Sequence, residues 1–360
     1  MHDIDFVKTG FTNSMPLFEE FLLDLVNNNY SSDTVFNYRR DLNIFNAFLE
    51  ENKIEFSDVS KLLISKYKEY LRSGLYLKTT YKNKDNIQKT DKISDNKKSS
   101  PGGSRRRSMY SGRLGGRSVN RMLSALRSYL RFLIDSDQKN IPIPPDAIKM
   151  VKTEKKESQV AELDELIRLI ESPEIYESKE NVKFRNRAIL ELLFSSGMRI
   201  SELINLNRED LKISVDEKID ESKIYILGKG KKQRFVYLTS RAKFYLERYL
   251  HLRQDDYQAL FIPYRGLRSG TKDTYQVRLS NNYVQAKIKE YRKLVGIVVP
   301  TSAHSLRHGF ATYLAEGGAS PVAIQRLLGH ESLQTTSKYV HSGDKYAEQV
   351  HNKYHPLKDI

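Results

Sequence analysis

Four short segments of the chain combine residue types that carry chemistry. Arginine lies in GMRISEL (197–203) and lysine in GKGKKQR (228–234), while AHSLRHGFATYL (303–314) holds two histidines and an arginine. Histidine and tyrosine lie in LLGHESLQTTSKYVH (327–341). Guanidinium groups bind phosphate through paired hydrogen bonds, histidine and lysine transfer protons, and tyrosine is a nucleophile. Taken singly, each segment also has a structural interpretation, because surface arginines and core tyrosines are common.

Two of these segments admit other specific interpretations. GKGKK fits the turn of a hairpin, where glycine supplies positive φ, and it lacks the spacing and the hydroxyl of a P-loop. His304 and His308 lie four residues apart, as two zinc ligands do, but the glutamate of H-E-x-x-H is absent. We therefore expect neither a nucleotide site at the first nor a metal site at the second.

Together and in this order, the segments resemble the active site of the tyrosine recombinases, and they are most similar to the Xer branch of bacteria and archaea. SVNRMLSALRSYLRFL (118–133) adds to the likeness, which spans nearly the whole chain except 78–117. His330 precedes Tyr339 by nine residues. All six catalytic positions of the family are filled, by Arg199, Lys229, His304, Arg307, His330 and Tyr339.

The resemblance implies phosphodiester transesterification without a metal, ATP or another cofactor. A phosphodiester in its transition state spreads negative charge over the non-bridging oxygens, which fixed cations stabilise. Arg199 and Arg307 would each bind the phosphate through two hydrogen bonds and stay charged at any working pH. His330 would add a third donor to the same phosphate.

The resemblance also implies the roles of nucleophile, acid and base. Tyr339 would form a 3′-phosphotyrosyl bond, which keeps the energy of the broken bond for resealing. Lys229, on a mobile hairpin, would protonate the leaving 5′-oxygen, and His304 would help to deprotonate the phenol. His308, one helical turn after His304, would brace the site.

Family members act as tetramers on two double-stranded DNA sites, and this chain is expected to do the same. KYAEQVHNKYHPL (345–357) resembles the C-terminal helix that docks into a neighbouring subunit; a cap on its own subunit is the alternative. The first domain would contact DNA phosphates, although a solvated charged face remains the alternative for any single arginine. Its candidate DNA-binding residues are Arg39, Arg40, Arg117, Arg121 and Arg127.

Four amphipathic helices must form the first domain, residues 1–140. Apolar residues recur at helical spacing in 18–26, 35–49, 59–71 and 119–133. Ser14 and Ser118 are placed to cap the first and fourth helices, and Gly74 to end the third. The pattern predicts a four-helix bundle, which the resemblance identifies with the SAM-like core-binding domain.

Two polar segments interrupt the helical pattern. Residues 78–117 hold twelve Lys or Arg and three acids, a charge of +9 (12 less 3) within the chain's +15. With few apolar residues, this segment is predicted to be a disordered basic insertion. IPIPPDAIKMVKTEKKES (141–158) is rich in proline and then in charge, which predicts a linker between domains.

The second domain, 159–360, is predicted to be mostly helical with a small antiparallel sheet. Helical patterns cover 162–171 and 183–196. β-like runs follow at Ser222–Leu227 and Arg234–Leu238, and the chain from 239 onward is expected to be helical with short breaks. The fold class is therefore mainly α, with a helical first domain and a mixed α/β catalytic domain of the tyrosine recombinase type.

Composition narrows the class of protein further. Lys and Arg number 60 against 45 Asp and Glu, and this excess favours a polyanionic partner such as nucleic acid. The absence of cysteine excludes disulfides and thiolate chemistry. No apolar run is long enough to cross a bilayer, and the start MHDIDF is acidic where a signal peptide is basic. We expect a soluble cytoplasmic protein without a membrane partner.

The leading hypothesis is a Xer-type recombinase that resolves chromosome dimers at a dif-like site, which would link the protein to chromosome partition and cell division. A second Xer subunit or a DNA translocase is a candidate partner. An integrase of a phage or conjugative element is the main alternative, and the basic insertion favours it slightly. A type IB topoisomerase shares this chemistry, whereas a DNA-binding protein without catalysis leaves the filled catalytic set unexplained.

Overall fold

A computed structural model describes residues 15–76, 113–138, 140–154, 159–211, 219, 223–227, 233–264 and 277–329. The chain divides into two compact units, Met1–Lys156 and Glu157–Ile360. Both are mostly helical, and the predicted fold class is confirmed. Within the described ranges, no helix combines the length and apolar character needed to span a membrane.

Four helices form the first unit: α1 (Phe18–Asn27), α2 (Ser32–Glu51), α3 (Lys61–Ser73) and α4 (Gly116–Asp135). Short 3₁₀ turns lie at Phe56–Asp58 and Pro145–Ala147. Ser31 and Ser60 cap α2 and α3 by accepting a backbone N–H three residues later. Gly74, with φ of 81°, ends α3 in the left-handed conformation, as expected.

Several local predictions in this unit need correction. α1 begins at Phe18 after a left-handed Leu17, while Ser14 lies outside the described residues. α4 begins at Gly116, so Ser118 lies inside the helix instead of capping it, and the last two residues of the predicted insertion are helical. Leu62, at helical spacing with the core, is 69% exposed.

An aromatic core holds the four helices together. Phe21 packs edge-on against Tyr129, and Phe45 packs in the same way against Tyr67. All four side chains are essentially buried, and rings of this size supply a large part of the buried apolar area. This core fixes the helix faces on which the candidate DNA-binding arginines lie.

Residues 140–154 pack against the first unit. Asn120 and Val151 exchange two hydrogen bonds, of 2.9 and 2.8 Å, between the side-chain amide and the backbone. Ile143 and Ile148 are buried in the same core, and Lys68 donates to the Lys149 carbonyl at 2.6 Å. The described part of the predicted linker is thus attached to the first unit.

The second unit contains seven described helices and one two-stranded sheet. The helices before the sheet are α5 (Leu163–Tyr176), α6 (Glu180–Ser196) and α7 (Ile200–Asn205), followed by a 3₁₀ turn at Arg208–Asp210. The sheet consists of β1 (Lys223–Leu227) and β2 (Gln233–Tyr237). The helices after it are α8 (Ser240–His251), α9 (Asn281–Leu294), α10 (Ala303–Glu316) and α11 (Pro321–Leu328).

The two predicted strands are confirmed, and they pair antiparallel. Ile224 opposes Val236 and Ile226 opposes Arg234, so these residues share the inner face of the sheet. The outer face carries Tyr225, which is 52% exposed. Because Arg234 occupies an inner position, its side chain points toward the helices and not toward solvent.

The chain between α8 and α9 departs from the helical expectation. The described residues 252–264 are irregular, yet Ala259, Leu260 and Phe261 are completely buried. Arg253 organises this stretch by donating to the carbonyls of Ala259 and Leu260 at 2.8 and 3.1 Å. A buried arginine thus replaces helical hydrogen bonding there.

Candidate active site

A glycine turn between α6 and α7 positions Arg199. Gly197 ends α6 with φ of 61°, a left-handed conformation that glycine adopts without strain. A Cβ at this position would lie 2.3 Å from the Phe310 ring on α10. The turn therefore needs glycine both for its backbone and for its close approach to α10.

Glu202 holds Arg199 at the start of α7. Its carboxylate accepts from the Arg199 backbone N–H at 2.7 Å and from the guanidinium Nη1 at 2.8 Å. The Arg199 side chain remains 39% exposed, whereas that of Glu202 is 4% exposed. A buried carboxylate thus orients a guanidinium that a ligand can still reach.

Arg307 is held by the main chain. It is buried on α10 and donates from Nη1 to the Gly197 carbonyl and from Nη2 to the Leu328 carbonyl, both at 2.7 Å. Gly197 lies two residues before Arg199, and Leu328 lies two residues before His330. Arg307 therefore connects the segments that carry two other predicted site residues.

Arg234 of β2 completes the connection. It donates from Nη2 to Glu202 at 2.8 Å and from Nη1 to the Leu328 carbonyl at 3.1 Å. Burial lowers the pKa of Arg234 and nearby Arg199 lowers it further, while Glu202 opposes the shift. An arginine keeps its charge at neutral pH even so.

These contacts close a ring. It runs from Arg199 through Glu202, Arg234, the Leu328 carbonyl and Arg307 to the Gly197 carbonyl, and two residues of backbone return it to Arg199. Arg199 and Arg234 share the single carboxylate of Glu202, so one positive charge of this trio is left over. The arrangement suits a bound anion such as a phosphodiester.

Sequence reasoning missed two members of this ring, Glu202 and Arg234. Glu202 stands three residues after Arg199 at a helix start, the spacing of a capping box, and this spacing signals the contact. Arg234 appeared only as the last letter of a basic hairpin motif. Nothing in its local sequence indicates that it is buried.

The two histidines of α10 differ in their surroundings. Ser302 caps the helix, which places His304 at its exposed start, three residues before Arg307. His308 is half-buried, and its Nδ1 lies 3.2 Å from the Thr312 hydroxyl. Burial lowers the pKa of His308, which favours the neutral ring.

The other predicted site residues lie outside the described part of the structure. They are Lys229, His330 and Tyr339. Segment 345–357 and residues 78–112 of the basic insertion also fall there. The described residues on either side of Lys229 are Leu227 and Gln233, and Gly329 directly precedes His330. The structure thus links Arg307 to the turn that carries Arg199 through the Gly197 carbonyl, with His304 one helical turn from Arg307.

Most of the candidate DNA-binding arginines of the first unit form ion pairs. Arg39 binds Glu19 through two hydrogen bonds, of 2.8 and 2.6 Å. The other pairs are Arg40 and Arg121 with Asp41, and Arg127 with Asp146. Arg117 is exposed and has no ion pair with any described residue. Arg40 and Arg121 share the buried carboxylate of Asp41, whereas the carboxylates of Glu19 and Asp146 are exposed.

No metal centre is evident among the residues whose placement is described. That part of the chain contains no group of three or more His, Asp or Glu side chains arranged to hold an ion. The pair His304 and His308 therefore has no third ligand there.

Two family models match the chain. The model described as "Phage integrase family" matches residues 159–345, which include every ring residue. The model described as "Phage integrase SAM-like domain" matches residues 15–96.

Curated relatives carry the names of tyrosine recombinases. Tyrosine recombinase XerC of Thermodesulfovibrio yellowstonii is 37% identical over 248 residues, which are 66% of this chain and 76% of the relative. Tyrosine recombinase XerD of Staphylococcus epidermidis is 28% identical over 348 residues, 94% of this chain and 98% of the relative.

Solved structures share the fold. XerH site-specific recombinase bound to a palindromic difH substrate, a post-cleavage complex, aligns with a TM-score of 0.60 at 18% identity over 96% of this chain and 91% of that one. A lambda integrase tetramer bound to a Holliday junction aligns with a TM-score of 0.57 at 16% identity, covering 89% and 75%.

Proposed function

The chain belongs to the phage integrase family and is a tyrosine recombinase of the Xer-like branch, an enzyme of DNA strand exchange; from this premise we propose that it resolves chromosome dimers at a dif-like site. The Xer names of relatives at 37% and 28% identity support this role over that of a mobile-element integrase. The observation that carries the proposed chemistry is the ring that joins Arg199 to Arg307.

In the proposed mechanism, Arg199 and Arg307 bind the scissile phosphate. Arg199 is exposed to a ligand, and Arg307 is held by two backbone carbonyls that leave its charge intact. Both are anchored by the protein itself, and such preorganised cations stabilise the pentacoordinate phosphorane. His330, which follows Leu328 by two residues, adds a third hydrogen bond to the same phosphate.

The covalent step uses Tyr339. Its phenolic oxygen attacks phosphorus, the bond to the 5′-oxygen breaks, and a 3′-phosphotyrosyl bond remains. His304 takes the phenolic proton and Lys229 gives a proton to the 5′-oxygen. The free 5′-hydroxyl then attacks the phosphotyrosine of a partner duplex, losing its proton; the strand is resealed, and the tyrosine of the subunit on that duplex leaves and takes up a proton.

The proposed assembly is a tetramer on two recombination sites of chromosomal DNA in the cytoplasm. Segment 345–357 joins neighbouring subunits, and a second Xer subunit or a DNA translocase is a candidate partner. The net charge of +15 supports binding to DNA. The arginines of the first unit supply phosphate contacts that position the protein without reading sequence.

A nicked suicide duplex carrying a dif-like inverted repeat tests the proposal. On such a duplex the cleaved fragment diffuses away, so the covalent complex accumulates and appears on a denaturing gel. We expect a complex with the wild-type protein and none with Tyr339→Phe, which loses only a hydroxyl and should bind DNA equally well.

A protein–DNA band that persists with Tyr339→Phe would contradict the assignment of the nucleophile. Relaxation of a supercoiled plasmid that lacks the repeat, without recombination of plasmids that carry it, would instead indicate a topoisomerase.

A further inference from the structure

Arg234 is the member of the ring to which no role in the chemistry has been given. It lies on the inner face of β2, five residues after Lys229, and its side chain is 11% exposed. Its position joins three segments that the proposed function requires: the hairpin of Lys229, the start of α7 with Arg199, and the end of α11 before His330.

The geometry of Arg234 is that of a bridge. Its two terminal nitrogens donate to different partners, the Glu202 carboxylate and the Leu328 carbonyl, while its buried Nε has no hydrogen bond to any residue that the structure describes. A buried unpaired N–H costs stability, and natural proteins accept such costs mainly at functional sites. The guanidinium of Arg234 connects α7 and α11, and among the described residues its Nε is left unpaired in doing so.

Close packing keeps the bridge in place. Gly329 has φ of 64°, and a Cβ there would lie 2.6 Å from the Arg234 Cδ and 2.9 Å from its Nε. Even one added methyl would displace the guanidinium. The backbone entering His330 is thus shaped around Arg234.

We propose that Arg234 is a positioning residue for strand cleavage, acting through Glu202 on Arg199 and through the Leu328 carbonyl on Arg307 and the chain entering His330. This inference rests on the proposed function. It predicts that Arg234 affects the chemical step more than the affinity for DNA, because it touches other site residues and is shielded from solvent.

The test is single-turnover cleavage of the suicide duplex at saturating DNA by Arg234→Lys. Lysine keeps the positive charge but lacks the planar two-nitrogen fork, so it cannot reproduce the two hydrogen bonds to Glu202 and Leu328 in the same geometry. A small displacement of catalytic groups costs up to about 100-fold in rate, and we expect cleavage to slow by about 10–100-fold. The dissociation constant for the duplex should change less than about threefold, because the phosphate-binding arginines remain.

Arg253→Lys is the matched control. Arg253 is equally a buried bridge, between Asp255 and the carbonyls of Ala259 and Leu260, but it belongs to the segment between α8 and α9. We expect a lower melting temperature with an unchanged cleavage rate of the folded protein. Equal slowing by both substitutions, in proportion to lost stability, would overturn a positioning role for Arg234.

A double substitution tests the route through Glu202. If Arg234 acts through this carboxylate, Arg234→Lys should slow cleavage far less in a Glu202→Gln background than in the wild type. Independent, multiplying effects would overturn the route.

A substrate with sulfur at the bridging 5′ position separates Arg234 from Lys229. Sulfur leaves without protonation, so this substrate should rescue Lys229→Ala but not Arg234→Lys. Full rescue of Arg234→Lys would show that Arg234 serves the hairpin lysine, which overturns the proposal. Absence of a covalent complex with the wild-type protein would defeat the proposed function itself, whereas equal rates for wild type and Arg234→Lys would defeat only the role of Arg234.

Discussion

Arg39 and Arg127 of the first unit are held differently from the arginines of the second unit's ring. In the first unit Arg39 pairs with Glu19 and Arg127 with Asp146, and these carboxylates are 58% and 81% exposed. In the second unit the carboxylate of Glu202 is buried, and Arg307 is held by main-chain carbonyls. An exposed ion pair exchanges its partner easily, whereas a buried bridge with main-chain anchors does not.

The two ways of holding an arginine suit two different tasks, binding DNA and stabilising a transition state. An arginine that contacts DNA phosphates can leave a surface carboxylate on arrival, since such pairs are worth about 0–1 kcal/mol. An arginine that stabilises a transition state must already be in place, because reorganisation would cost part of the rate. Arg39 and Arg127 are therefore suited to adaptable contacts, whereas Arg199 and Arg307 are suited to fixed ones.

Among the substitutions that test this comparison, Arg307→Ala should have the largest effect on the cleavage rate. Loss of one preorganised donor to a developing anion costs about 100–1,000-fold in rate, and we expect single-turnover cleavage to fall by that factor. Arg278→Ala is the control, since Arg278 also donates to main-chain carbonyls, those of Ile204 and Leu206. If Arg278→Ala slowed cleavage as much at equal folding, the Arg307 effect would be structural.

Gly329→Ala should have an intermediate effect by displacing Arg234. We expect cleavage to slow by about 10-fold, within the range for small misplacements, with DNA affinity retained. Gly318→Ala is a matched control because Gly318 also has positive φ, 87°, but no described residue has an atom within 4 Å of an added Cβ. It should share the backbone strain and the loss in melting temperature without the loss in rate.

Glu19→Gln should have the smallest effect and the opposite sign. Without the Glu19 carboxylate, Arg39 no longer has to break this ion pair before it binds a DNA phosphate. Affinity for duplex DNA should therefore rise by up to about fivefold at low salt. Glu20→Gln, on the same helix, adds the same charge without freeing an ion pair and measures the contribution of net charge alone. The affinity is measured by titration of fluorescently labelled duplex DNA. An equal rise in affinity in both variants would show that Arg39 is not a phosphate contact.

Hydrophobic periodicity and the residues that end helices predicted the positions of the helices and strands well. They predicted less well which side chains are buried and which segments depend on tertiary contacts. Gly74 ends α3 and the two strands lie where their β-like runs indicated, because these signals act locally. Leu62 is exposed although it follows the helical stripe, since the edge of a stripe is covered only if a neighbouring helix reaches it. The chain from 239 onward was expected to be mostly helical with short breaks, whereas the described residues 252–264 are irregular and are held by tertiary hydrogen bonds from Arg253.

The candidate site shows the same division. Arg199 and Arg307 were predicted from residue type and from likeness to a family. The connection between their segments depends on tertiary hydrogen bonds from Arg307 to the carbonyls of Gly197 and Leu328. Glu202 had a local signal in its capping position, whereas Arg234 had none. Residues that act through others leave little trace in their own sequence neighbourhood.

The anchoring of Arg307 by backbone carbonyls has a consequence for mutational scanning. Because every amino acid supplies the same carbonyl, replacing the Leu328 side chain leaves the acceptor atom in place and registers only as loss of an apolar core residue. The position of the Arg307 guanidinium therefore does not depend on which side chain occupies position 328. A survey of tolerated substitutions would rank Leu328 among ordinary packing positions, although its carbonyl holds both Arg234 and Arg307.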